Sequence, residues 1–185
     1  VANTDAHYCI HESGRIRNYV KSPTDDPALV REMDVVRETK KGHLVMTNGP
    51  FLEVSLEGAI PGDDLRLAGR GLLRVQVQCA NWLDVDRVQV LVNGRPDPRL
   101  NFTRATHPRK FDDGVVKFRD EIPLELSADA HVIVVAIGEK STLGPIMGPV
   151  AEPPVAISNP IYVDADGGGF TPNKDTLGHP LPVKK

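Results

Sequence analysis

Two residues near the start of the chain are of types that bind metals. Asp5 and His7 stand in "NTDAH", two residues apart. A carboxylate and a neutral imidazole are good ligands for Zn²⁺, Mn²⁺ or Fe²⁺, and alternate residues of an extended segment can present both to one ion. Two ligands do not complete a site, since a structural zinc takes roughly four protein ligands and a catalytic one about three. Taken alone, the pair reads more simply as a solvated surface pair. A second constellation is Asp164 and Asp166 in "DADGGG". Alternating Asp before Gly resembles the start of a calcium loop, in which several oxygen ligands surround a sharp turn. Gly168 occupies the third acidic position and no Glu follows at the expected place. A Gly-rich turn is therefore the favoured reading, with calcium as the alternative.

The elements that must carry these residues are mostly strands. Sixteen Gly and sixteen Pro punctuate short β-branched runs, a composition that points away from a helical bundle. One helix is predicted in "SPTDDPALVREMDVVRETKKGH". Asp26 can cap it, Pro27 fits its first position, and Leu29, Val30, Met33 and Val36 form an apolar stripe. Lys40 and Lys41 suit its C-terminal dipole, and Gly42 can take the left-handed cap.

Beyond Gly42 the period changes to two. "HLVMT" and "PFLEVSLEG" flank Asn48-Gly49, a dipeptide that favours a tight turn. "GLLRVQVQCANW" puts Leu73, Val75, Val77 and Cys79 on one face. "DRVQVLVNGRP" repeats the alternation and offers Asn93-Gly94 as a hairpin turn. "VVKFRDEIPLEL" follows, "HVIVVAIG" is apolar on both faces and reads as a central strand, and "PVAISNPIYVD" supplies the last strand. Seven or so strands with turn signals between them predict a mainly β chain, an immunoglobulin-like β-sandwich preceded by one short helix. A small barrel is the second choice. Val75, Val77, Val90, Val92, Ile133 and Val135 are expected in one core.

The remaining candidates are scattered. His43, His107, His131 and His179 lack partners at ligand spacing and read as surface histidines. Trp82, the sole tryptophan, reads as a core anchor between sheets in preference to a platform for a sugar ring. Cys9 and Cys79 lie far apart in sequence and read as free thiols, which leaves the compartment unassigned. A net charge of −3, with no basic block before Lys184-Lys185, gives no reason to expect a nucleic-acid partner. No apolar run is long enough to span a membrane.

Taken in order, "NTDAH", "GRIRNYV", a helix ending "KKGH", "LVMTNGPFLEV" and "ISNPIYVDADGGGF" resemble one family. They are similar to the C-terminal part of PHP-type (polymerase and histidinol phosphatase) metal-dependent hydrolases, in the branch that carries an added C-terminal β domain. Asp5 and His7 match the late "SDAH"-like motif of that family, with Thr4 where Ser is common. The motif lies at the end of a distorted barrel strand and supplies the last metal ligands. "TNGP", Thr47 to Pro50, resembles the segment where the chain leaves the barrel, and "NPIYVD", Asn159 to Asp164, resembles the closing strand of the added domain. The family's early His-x-His pair, its glutamate and its further histidines have no counterpart here.

The resemblance implies three parts: the end of a catalytic barrel with its linking helix over 1–42, a β-sandwich over 43–163, and an extended tail over 164–185. It implies an accessory domain of a phosphoesterase-like hydrolase that is not catalytic by itself. A divalent metal (Zn, Mn or Fe) would be held by the whole hydrolase and not bound tightly here. The partner implied is the catalytic barrel, with a homodimer as a further option. The alternative function is a free-standing β-sandwich module that binds carbohydrate or protein.

Overall fold

The alternation in "GRGLLRVQVQ" becomes the longest strand of a three-stranded sheet. In the computed structural model, which describes residues 1–4, 14–144 and 151–179, β5 (Gly69–Gln78) pairs antiparallel with β3 (Phe51–Leu56) and with β8 (Val116–Leu126). Leu73, Val75, Val77 and Cys79 are buried on its inner face, as their period requires. Across the core lies a larger sheet of eight strands, giving a mainly β, sandwich-like architecture with one α-helix. Its middle strand is β9 (Ala130–Ile137). β6 (Arg87–Val92) runs along one edge of β9, with β7 (Arg95–Thr103) beyond it. β10 (Val155–Ser158) and β11 (Ile161–Asp164) share the other edge. β2 (Leu44–Thr47) and β1 (Arg17–Val20) continue the sheet past β10, and the short β4 (Asp64–Arg66) runs parallel to β11.

Several expectations are met in detail. Asn93 and Gly94 both have positive φ, 54° and 72°, and turn β6 into β7 as a hairpin. Gly42, at φ 82°, is the left-handed cap of α1 (Glu32–Lys41). β9 is central, as its apolar sequence predicts.

Other details differ for identifiable reasons. Val132 and Val134, not Ile133 and Val135, point into the core beside Val75, Val77 and Val90. In "HVIVVAI" both faces are apolar, so the period identifies a strand without choosing its inner side. Val92 packs against the core only in part. Asn48-Gly49 does not close a hairpin, because β2 and β3 belong to different sheets. The Asn48 amide instead accepts from Val155 N at 2.6 Å and donates to Pro153 O at 3.0 Å, so the chain crosses between sheets at this point. "PVAISNPIYVD" forms two strands rather than one, interrupted at Asn159-Pro160. At the interruption the Ser158 hydroxyl accepts from Val134 N at 3.0 Å, which satisfies a β9 donor.

Two segments outside the expected sandwich attach to it. β1, within the stretch assigned to the barrel end, pairs along its whole length with β2. The Asn18 side-chain amide also binds both backbone groups of Ala2, at 2.8 Å each. The tail after β11 is extended and strandless over its described part, and it is tied down at intervals. Arg95 grips Asp175 through two nitrogens at 2.6 and 2.8 Å, and Leu177 lies over Gly94.

Candidate functional site

The predicted helix is in two pieces. Asp26 caps a single turn over Pro27–Leu29 by accepting from Ala28 N at 2.9 Å, and Val30 then adopts an extended backbone before α1 starts. The predicted apolar stripe exists, but it faces the wrong way for a core. Leu29 is 63% exposed and Met33 65%, and Val30, Val35 and Val36 are exposed as well. The covered residues of α1 are two acids, Asp34 and Glu38. Asp34 lies beneath arginines of its own segment. Arg31 meets it at 2.9 and 3.1 Å and Arg37 at 2.8 Å, and together they hold its carboxyl below the usual range against the opposing effect of burial.

Glu38 belongs to a polar cluster with His43 and Asp63. Its Oε2 lies 2.5 Å from Nδ1 of His43, and Nε2 of the same ring lies 3.0 Å from Oδ1 of Asp63. The His43 ring, with help from Arg37 and Lys41, holds the Glu38 carboxyl down to about 2 although burial opposes it. Asp63 spends its other oxygen on Ile60 N at 2.9 Å, which fixes the loop between β3 and β4. The helix end is pressed against that loop at Gly62, and the Asn159 amide donates to Gly42 O at 2.9 Å. His43 therefore clamps the C-terminus of α1 to the sandwich. It is not the surface histidine expected from sequence, being only 7% exposed. With both ring nitrogens engaged by Glu38 and Asp63, neither is aimed at a substrate as a general base would need.

Among the candidate ligands, Asp5 and His7 lie outside the described residues, as does Cys9. Asp164 and Asp166 come together with Asp129, with one carboxylate oxygen of each within 4.8 Å of the others. Each is already an acceptor for backbone. Asp129 takes Ala165 N at 2.8 Å and Thr171 N at 2.7 Å, Asp164 takes Gly167 N at 2.6 Å and Gly169 N at 3.1 Å, and Asp166 takes Gly168 N at 2.8 Å. Burial works against the charge on Asp164, yet these backbone donors, with Arg66 nearby, hold its carboxyl below the ordinary range. The cluster staples the first turn of the tail to the loop before β9 through these backbone hydrogen bonds.

Trp82 is 69% exposed and anchors no core. Leu83 turns inward in its place and packs against Gly49. Cys79 is a free, buried thiol whose pKa is pushed up by that burial. Sequence reasoning missed His43 because Asp63 lies twenty residues further on. The nearer signal was a glutamate five residues before a histidine that follows a helix-capping glycine. No protein-family profile, no curated protein and no solved structure matches this chain.

Proposed function

We propose that this chain is the accessory β domain, of immunoglobulin-like type, of a PHP-type metal-dependent hydrolase, and that it seats on the catalytic barrel through the outward face of α1. One observation carries the reading: α1 turns its apolar residues outward, while Asp34 and Glu38 are its buried residues. α1 exposes Met33, Val35 and Val36, and Leu29 and Val30 lie exposed just before it; full burial of such a side chain is worth about 1.5–3 kcal/mol, and these partly exposed ones would each contribute a fraction of that to docking. The His43 clamp holds the helix at its C-terminal end, so the face is presented on a fixed element. In the assembled hydrolase Asp5 and His7 would add ligands to a divalent ion (Zn, Mn or Fe), with phosphoester hydrolysis as the reaction class. The exposed Trp82 favours a second reading, a free-standing module that binds carbohydrate or protein.

The test is sedimentation of the chain mixed with a PHP-type barrel that carries the early His-x-His motif. A complex is expected, and Met33→Asp with Val36→Asp should weaken it at least tenfold without altering the fold. Absence of a complex, or a complex indifferent to both substitutions, would sink the reading. Zinc calorimetry on the chain alone gives a second check, because a stoichiometric submicromolar site would show a ligand set more complete than Asp5 and His7.

A further inference from the structure

The outer face of the three-stranded sheet holds a trough of about 610 Å³, within the range of small-molecule sites. We propose that this trough binds a neutral oligosaccharide chain, on a surface other than the outward face of α1.

Its floor carries a transverse ladder of planar polar side chains, although most of the lining surface is apolar. Arg119 Nε donates to Gln76 Oε1 at 2.6 Å, and Gln76 Nε2 donates to Glu53 Oε2 at 2.6 Å, so one chain of hydrogen bonds crosses β8, β5 and β3. Arg74 and Glu121 make a parallel rung at 2.8 Å. These bonds fix the side chains in advance, which lowers the ordering cost of binding. They do not exhaust the groups, since Gln76 keeps a second N–H, Arg119 its terminal nitrogens, and each carboxylate further lone pairs. Donors and acceptors thus alternate along the floor. A hydroxyl both donates and accepts, so a polyol matches that alternation where a simple anion or cation does not.

Charge points the same way. Lys21, Arg74 and Arg119 on the lining are balanced by Glu53, Asp120 and Glu121, so a phosphate polymer would meet carboxylates and a polycation would meet guanidinium groups. One wall is apolar. The Tyr19 and Phe51 rings meet edge to face, 4.9 Å apart at 78°, and Ile60 and Pro61 continue the wall. Arg17 lies 5.9 Å from the Tyr19 centroid and steadies that ring, which stays 40% exposed. Apolar rings beside a polar floor suit the two surfaces of a sugar, its C–H face and its hydroxyl edge. The lining also follows β3 from Phe51 to Ser55 along the edge that has no strand partner among the described residues, so an extended peptide is the competing occupant.

The experiment is NMR titration of the chain with cellohexaose, xylohexaose, mannohexaose, maltohexaose and chitohexaose, with an extended pentapeptide and inorganic phosphate as competing probes. At least one hexasaccharide should shift the amides of Glu53, Gln76 and Arg119. Gln76→Ala should weaken that binding roughly tenfold, the effect of losing one or two hydrogen bonds. Tyr19→Ala should weaken it through the wall, and both variants should melt as the parent does, because these side chains are outside the core. Glu53→Gln should retain most of the affinity, since an amide still accepts. If none of the sugars shifts the trough, if the peptide or phosphate does so instead, or if binding is indifferent to Gln76→Ala and Tyr19→Ala alike, the proposal is wrong.

Discussion

β5 and α1 both separate apolar from polar residues and put the separation to opposite use. In β5 the apolar residues Leu73, Val75 and Val77 lie in the core, while Arg74, Gln76 and Gln78 face solvent. In α1 the apolar residues face solvent, and Asp34 and Glu38 are the covered ones. A period states which residues share a face. Which face turns inward depends on what the rest of the chain offers to pack against it. β5 has two neighbouring strands and an opposing sheet, whereas α1 is held mainly at one end, through His43, Gly62 and Asn159.

The comparison is sharpest where the same kind of substitution is made in both places. Val90, beside β5's residues in the core, is completely buried. Val90→Asp would place an unpaired charge there, at a cost of several kcal/mol, enough to prevent folding. Expression should yield aggregated or unfolded protein, as judged by circular dichroism. A soluble variant with a cooperative melt would mean that the burial of this face is misassigned.

The junction between the two regions should be nearly as sensitive. Gly62 has φ 97°, and a Cβ there would stand 2.5 Å from Lys41 O and 2.6 Å from Gly42 C. Both obstacles are backbone at the helix end, so they cannot swing aside. Gly62→Ala should cost about 1–3 kcal/mol in backbone strain, with the clash added, and should push α1 away from the loop. Thermal melts should show the loss, and amide exchange should place it in α1 before the sheets. Equal acceleration in both regions would show that helix and sandwich unfold as one unit.

Acid should separate the regions more gently. Glu38 titrates at about 2 when folded against an ordinary 4.5, so its carboxylate favours the folded state fully above about 4.5. That contribution is lost as the pH falls from 4.5 towards 2. Protection of α1 should therefore fade across this window, with β5 and β9 fading later. Loss of α1 already complete above pH 4.5 would assign the clamp to another group.

Much of the fold was legible because its signals are local. The β5 period, the Asn93-Gly94 turn and the Gly42 cap each need only neighbouring residues, and each is found as expected. The misread parts depend on distant partners. The inner face of β9 is chosen by the opposite sheet, Asn48 is committed to β10 across more than a hundred residues, and His43 needs Asp63. β1 and β4 were not foreseen because such short strands carry little period and owe their pairing to β2 and β11. At the candidate site the residue types of Asp164 and Asp166 were legible, but their third companion, Asp129, and their role as backbone acceptors were not.

The smallest expected effect tests the comparison most directly. Met33→Asp introduces the same charge as Val90→Asp, again in place of an apolar side chain. Met33 is 65% exposed, so the new carboxylate keeps its water and its desolvation cost is small. Aspartate is a poorer helix former than methionine, by a few tenths of a kcal/mol in a helix interior. Near the start of α1 a negative charge also interacts favourably with the helix dipole, which offsets part of that loss. The net change in stability should stay within about 0.5 kcal/mol, the usual range for a surface substitution. Chemical denaturation should give the same midpoint and slope as the parent. A loss of more than about 1 kcal/mol would mean that Met33 is covered in solution, by a second copy or by another part of the chain. Repeating the measurement at several protein concentrations separates these two cases, because only a second copy makes the loss depend on concentration.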